Sequence, residues 1–413
     1  MAAGTGGTVL DADIVVVGAG MVGAACATAL LQAGFSTLLV ERSMPPAVDL
    51  DAEPGLRVSA VSRASDCFLS HIGAWQRVIA ARAAPYRRMA VWEHDDGAET
   101  LFDAAEIAEL TLGHIAENAL IQQACVSAYT DAGGEMLCPA SVASVSLSAG
   151  GNAITLDDGR VVRCRLLIAA DGARSAVRAM VGIDAPAYRY DQHALVATVE
   201  TAFGQQDITW QRFKPSGPEA LLPLAGARAS LVWYHSPDRV TELGALSDAD
   251  FLDALHDHFP SRLGRVERLI ERGSFPLFRA HAERYVQTGV ALIGDAAHSG
   301  HPLAGQGVNL GFMDAAALVD VLVDARTAGR EIGNERVLRR YQRWRRGENA
   351  AMLAALHRIQ QSFGSASPAI GVARSALLAA GQTIPPARRA LCRHAMGLAG
   401  DLPRLARPAV ATP

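Results

Sequence analysis

The chain has 413 residues, half of them hydrophobic and 19% charged, with a formal net charge of -4. That is a folded globular composition with length for one large or two medium cores, and its charge gives no reason to expect a nucleic-acid partner. The six cysteines (Cys26, Cys67, Cys125, Cys138, Cys164 and Cys392) form no CxxC pair, which excludes a zinc cage or disulfide framework and fits free thiols in a reducing cytoplasm.

The opening "MAAGTGGTVLDAD" lacks the basic and apolar regions of a secretory signal. From Ile14 to Val40 there is no charged residue, a length that invites a membrane span. Glycines interrupt the run in "VVVGAGMVG" and again in "QAGFS", so a buried strand–helix–strand explains it better. "ADIVVVG" reads as a strand covered on both faces, the helix runs from about Met21 to Ala33, and "STLLVER" is the next strand of a right-handed βαβ unit.

"GAGMVG" places Gly18, Ala19, Gly20 and Gly23 in a G-x-G-x-x-G pattern between strand and helix. Gly18 permits the tight turn, Gly20 lets a pyrophosphate approach the backbone, and Gly23 lets helix and strand pack closely. The phosphates then sit on a helix N-terminus. Glu41, with Arg42 beside it, ends the next strand, where a carboxylate can accept both ribose hydroxyls. The pattern predicts a dinucleotide without separating FAD from NAD.

Further along, "RRMAVWEHDDGAETLFD" and "NAITLDDGRVVRCRLLIAADG" read as hairpins turning at Asp96-Gly97 and Asp158-Gly159, a pair suited to a type I′ turn. "ENALIQQACVSAYTDAG" between them is an amphipathic helix. From about His193 to His235, the runs "HALVATVE", "ITWQRF", "ALLPL" and "ASLVWYH" predict a separate, mostly antiparallel sheet. "DADFLDALHDHF" is helical with Ser247 or Asp248 as N-cap. After a strand at "GVALIG" the chain is largely helical.

Two more strand ends carry motifs: "LLIAADGARSAVR" stops at Asp171-Gly172 and "VALIGDAAH" at Gly294-Asp295. With them, the sequence resembles the FAD-dependent aromatic hydroxylases of the p-hydroxybenzoate-hydroxylase fold, and within that group the ubiquinone-biosynthesis branch. The pieces that carry the branch are "ERYVQTGVALIGDAAHSGHPLAGQGVNLGFMDA", "RVSAVSRASDCFLSHIGAW", "WQRFKPSGPEALLPL" and "YQRWRRGENAAM". The resemblance covers nearly the whole chain.

It implies an α/β protein: a Rossmann-like FAD domain (1–84, 105–185 and 284–345), an inserted, mostly antiparallel β-sheet substrate domain (85–104 and 186–283) and a helical C-terminal region (346–413). It implies an enzyme that binds NADPH or NADH transiently, reduces FAD, and forms a flavin C4a-hydroperoxide with O2 that hydroxylates a prenylated phenol in ubiquinone biosynthesis. The single G-x-G-x-x-G agrees with one stably held dinucleotide. Asp171 is then linked to FAD and nicotinamide handling, Asp295 to the ribityl chain and Arg57 to a place close to FAD. Asn118 departs from the arginine common in the wider group, although asparagine is familiar in this branch.

"GDAAHSGHPLAGQGVNLGFMDA" also invites a metal reading, with Asp295, His298 and His301 three residues apart. Asp295 at a strand end and Pro302 beyond the second histidine do not share a helical face, so no metal is expected. As a flavin cradle the stretch makes sense. Gly305, Gln306, Gly307 and Asn309 precede a helix whose N–H groups and dipole can face the flavin N1 and C2 carbonyl. His301 and Pro302 are candidates for the face toward the ring being hydroxylated, and His298 for a structural role.

Trp210, Phe213, Leu222 and Trp233 are candidates for the substrate wall, with core packing the competing role. The absence of a Cys-x-x-x-x-Cys after the first helix argues against a disulfide reductase, and that of a W-x-W against a flavin halogenase. A flavin-binding accessory subunit without turnover and an aromatic hydroxylase of secondary metabolism remain alternatives. Beyond Gly371 the chain has Arg374, Arg388, Arg389, Arg393, Arg404 and Arg407 against Asp401 alone. Such a segment suits peripheral contact with the inner face of a membrane, or docking to other ubiquinone-biosynthesis proteins.

Overall fold

The computed structural model describes residues 9–93, 99–148, 150–260, 265–300, 306–363, 371 and 381–408. The Val/Ile run of the first strand, β1 (Val9–Val17), lies at the centre of the first sheet, with Ile14, Val15 and Val16 fully buried. Its parallel neighbours are β2 (Thr37–Val40) on one side and β11 (Val161–Ala169) on the other, pairing Val15 with Leu38 and with Leu167. β8 (Glu135–Leu137) and β18 (Val290–Leu292) extend the parallel core outward, and β17 (Val286–Gln287) closes it antiparallel. A hairpin of β9 (Val142–Ser148) and β10 (Gly151–Leu156) attaches to β11.

Helices α1 (Met21–Gln32), α4 (Asn118–Asp131) and α8 (Gln306–Thr327) belong to this layer, with α1 packed on the other two. α8 carries a run of buried residues, Ala315 to Leu318, so it passes through the interior rather than over the surface. α9 (Glu335–Phe363) lies against it.

The second sheet has the order β19 (His298–Ser299), β16 (Val266–His281), β12 (Ala187–Thr201), β15 (Arg228–His235), β14 (Gly217–Pro223), β13 (Ile208–Lys214), β5 (Arg88–Trp92) and β6 (Glu99–Asp103). All neighbours are antiparallel except β13 and β5. Helices α6 (Pro237–Ala245) and α7 (Asp248–His258) cover one face, where Trp92, Leu231, Trp233, Phe251 and Leu255 form a core of their own. Ser247 caps α7, accepting from the Asp250 N–H at 3.2 Å. A small antiparallel sheet, β3 (Val58–Ser62), β7 (Gly113–Glu117) and β4 (Ala84–Tyr86), joins the layers. The remaining helices are α2 (Arg63–His71), α3 (Trp75–Ala81), α5 (Ala176–Met180) and α10 (Pro385–Ala395).

One turn differs from expectation. β10 and β11 do pair across Asp158-Gly159, but only Gly159 has positive φ (+86°) and its N–H donates to Leu156 O at 3.0 Å. This is a type I turn followed by a left-handed glycine, not type I′, because the loop is one residue longer than a two-residue hairpin allows. The other expected turn, Asp96-Gly97, lies outside the described residues. All six cysteines are free, and burial pushes the Cys26 and Cys125 thiols up to about 12. Among the described residues no helix is long and apolar enough to cross a membrane.

Candidate active site

The βα turn after β1 is built by glycine. Gly18 has φ +107°, and a Cβ there would come within 2.5 Å of Ala170 O. A Cβ on Gly23 would lie 1.9 Å from Gly18 O, so that position admits only glycine. At Gly20 an added Cβ meets nothing within 4 Å. Gly20 is also the N-cap of α1 and brings no side-chain oxygen to the first N–H groups, which are left for an anion. Glu41 reaches the loop, its Oε2 accepting from Ala19 N at 2.6 Å, and Gln122 Nε2 donates to Ala19 O at 2.8 Å. Arg42 is exposed.

The two aspartate-glycine turns serve different purposes. Asp171 accepts from Ser175 Oγ at 2.5 Å and Val177 N at 3.1 Å, so its carboxylate ties down the start of α5. Gly172, at φ +82°, and the adjacent Ala173 line the cavity. Arg178 on α5 donates to Ala296 O at 2.8 Å and joins this turn to the second one. There Asp295 is exposed to the cavity at the floor of the site. Burial pushes its carboxyl up, and the charges of His298 and Arg57 oppose that shift. Arg57 lines the same cavity and lies over the Phe275 ring at 5.0 Å. Behind Arg57, Glu117 accepts from Gly55 N at 2.7 Å and from Arg82 Nε at 2.6 Å, bracing the segment. Asn118 also lines the cavity, its Oδ1 accepting from Ser59 Oγ at 2.7 Å.

α8 points its N-terminus into the site. Gly307 lines the cavity with nothing within 4 Å of an added Cβ, and a Cβ at Gly311 would press Val22 at 2.7 Å. Asn309 is buried, and its Oδ1 accepts from Ser62 N at 3.0 Å and Ser65 Oγ at 2.8 Å while Nδ2 donates to Ala60 O at 2.9 Å. It stitches α8 to β3 and α2 rather than facing the cavity. His301, Pro302 and Gly305 lie outside the described residues, as does the side chain of Gln306.

His298 turns away into a buried network absent from the sequence reading. Its Nε2 meets Asp314 Oδ2 at 2.5 Å, and that oxygen also accepts from Gly294 N at 3.2 Å. The other oxygen accepts from Arg345 Nε at 3.0 Å and Asn349 Nδ2 at 2.9 Å. Burial alone would raise the Asp314 pKa, but these donors outweigh it and hold the carboxyl below its ordinary value of 3.8. Asp314 thus fixes the Gly294-Asp295 turn from beneath. An aspartate inside the apolar "GFMDAAALVDVL" was the available signal.

A cavity of about 630 Å³ extends between these turns and the second sheet. Strand alternation selects its wall: Ser230, Val232 and Tyr234 of β15 face it, while Leu231 and Trp233 face the helices behind. Of the four expected wall residues, Leu222 faces the cavity, while Trp210 only borders it, its ring packed edge-on against Trp92 at 5.8 Å on the helix-covered face. Phe213 lies on the cavity side of its strand, opposite Pro218, but is covered by Phe363 stacked on it at 3.9 Å, whereas Trp233 stacks on His258 at 4.5 Å on the opposite face. The residues fit FAD: at Gly20, Gly172 and Gly307 the backbone faces open space, beside helix N-termini suited to phosphate and to flavin charge.

A Rossmann-like glycine cradle under a β-sheet roof, with a cavity between, suits a flavin dinucleotide held beside a substrate, the layout of a flavoprotein. The family described as FAD binding domain matches residues 11–355, and the chain belongs to it. It is an FAD-dependent monooxygenase. It is 41% identical over 387 residues to 3-demethoxyubiquinol 3-hydroxylase of Escherichia coli strain K12, covering 94% of this chain and 98% of that one. It is 36% identical over 409 residues to ubiquinone hydroxylase UbiL of Rhodospirillum rubrum, covering 98% and 94%. Its fold is that of p-nitrophenol 4-monooxygenase PnpA from Pseudomonas putida DLL-E4, with TM-score 0.77, 19% identity and coverage of 95% and 99%. HpxO of Klebsiella pneumoniae, solved with FAD and uric acid, gives TM-score 0.73 at 20% identity, covering 94% and 96%.

Proposed function

We propose that the chain hydroxylates the aromatic ring of a prenylated phenol in ubiquinone biosynthesis, using NAD(P)H and O2. The observation that carries this reading is the one cavity that runs from the glycine cradle to an apolar β-sheet wall, in a chain 41% identical to a demethoxyubiquinol hydroxylase. FAD, when bound, relays two electrons from NAD(P)H to O2 and delivers one oxygen atom to the ring.

The chain's own residues prepare that chemistry. Gly18, Ala19, Gly20 and Gly23 with the α1 N-terminus take the pyrophosphate, Glu41 the ribose hydroxyls, and Arg42 flanks them. Asp295 accepts from the ribityl hydroxyls, Arg57 and Gly172 border the flavin, and Asp171 holds the Gly172 turn in place from α5. Gly294 shapes the turn that presents Asp295. Gly307, at the start of α8, brings the helix dipole to the flavin N1 and C2 carbonyl, where negative charge gathers. Asn309 holds α8 in register for that task. The sheet wall orients the phenol and keeps water from it. On this reading the chain divides into an FAD unit of 1–84, 105–185 and 284–345, a substrate unit of 85–104 and 186–283, and a helical region from 346.

The outer face of α10 carries exposed Ile384, Leu391, Arg389 and Arg393, a mixture suited to resting on an anionic bilayer. Incubation with a prenylated phenol, NAD(P)H and labelled O2 tests the function. One labelled oxygen atom is expected in the product ring; reductant consumption that yields only hydrogen peroxide with every prenylated phenol contradicts it.

A further inference from the structure

One stretch of the cavity wall is apolar and continuous. Ala60, Tyr86, Met89, Leu222, Ala395 and Met396 line the cavity and pack in one hydrophobic cluster, whereas Arg57, Asn118 and Asp295 lie outside it. Ala395 and Met396 come from the end of α10, beyond residue 355, where the match to the shared FAD domain stops. A part of the chain outside the shared core therefore shapes the cavity.

That part is seated rather than loosely draped. Arg388 donates through Nε and Nη2 to both carboxylate oxygens of Glu106, at 2.8 and 2.6 Å, and through Nη1 to the carbonyls of Gly381 and Gln382. At the other end, Met396 O accepts from Ala64 N at 3.2 Å. Gly397 follows at φ +67°, where an added Cβ would come within 2.7 Å of Ala64 Cβ. Met396 is 4% exposed.

We infer that Ala395 and Met396 form the surface on which the substrate's isoprenoid chain lies, so that the last helix sets the preference for tailed over tail-less phenols. The inference rests on the function proposed above. An isoprenoid chain offers no hydrogen bonds and is recognised only by apolar contact and exclusion of water. The unbranched thioether of methionine adapts to methyl branches along such a chain.

The test compares kcat/KM for a phenol bearing a geranyl chain with that for the same phenol without it, in wild type, Met396→Trp and Met396→Ala. In Met396→Trp the geranyl-to-bare ratio should fall about tenfold, the scale of a blocked apolar subsite. A ratio that stays at the wild-type value overturns the inference. If Met396→Trp fails to retain FAD, Met396→Ala decides: a ratio reduced about threefold supports the inference and an unchanged one overturns it. Wild type that turns over neither phenol refutes the functional reading first, and the inference with it.

Discussion

Single glycines separate two demands on the cradle. At Gly23 a methyl group collides with Gly18 O, so Gly23→Ala should destabilise the fold itself. At Gly20 the space is open, so Gly20→Ala should fold and melt as wild type does without cofactor, yet retain FAD at least about tenfold more weakly. Thermal melting of the FAD-stripped proteins and flavin titration check the pair; identical behaviour of the two variants would contradict it. His281 makes a pH prediction. Burial, helped by the charges of Arg346 and His298, lowers its pKa from 6.5 to about 4. The unfolded chain therefore binds the proton first as pH falls. The contribution is complete above 6.5 and lost on the way down to about 4. His281→Gln should reduce the stability lost between about pH 7 and pH 4.5 by on the order of 2 kcal/mol, as read from denaturant midpoints. A variant with the wild-type pH slope would argue against it.

Elements meet at the active site through a few buried polar side chains, and these were the least legible part of the sequence. The glycine turn was readable because strand, glycines and helix are neighbours in the chain. The Asp314 network joins α8, α9 and the Gly294 turn, and no spacing rule links Arg345 to His298. Asp314→Asn takes from Arg345, 3% exposed, the fully buried one of its two carboxylate partners, with Glu348 the other, which should cost about 3 kcal/mol. A melting temperature lower by several degrees and weaker FAD retention should appear together; an unchanged melting curve would rule out this role. Strand faces were similarly hidden. Trp210, Leu222 and Trp233 read alike as wall candidates, but register against neighbours distant in sequence turns Leu222 to the cavity and both tryptophan rings to the helices. The Asp158-Gly159 turn illustrates the same limit at close range: the residue pair was right, and loop length decided the turn type.

For the whole molecule, fold class was legible because a doubly covered parallel strand, a second β-rich stretch and a helical end differ in composition. The sheet order was not, since β11 reaches β1 from some 150 residues away by pairing such as Ile14 with Leu166. The contribution of α10 to the cavity wall also had no local signal, because its inward residues Cys392, Ala395 and Met396 look like any amphipathic stripe. The layers converge on one cavity, so cofactor and substrate should influence each other across it. The most direct measurement is the visible spectrum of the FAD-loaded protein mixed anaerobically with NAD(P)H, with and without a prenylated phenol. Bleaching of the flavin band that accelerates when the phenol is present is the predicted result. A protein that holds no flavin after reconstitution, or whose bleaching ignores every prenylated phenol, would contradict the account.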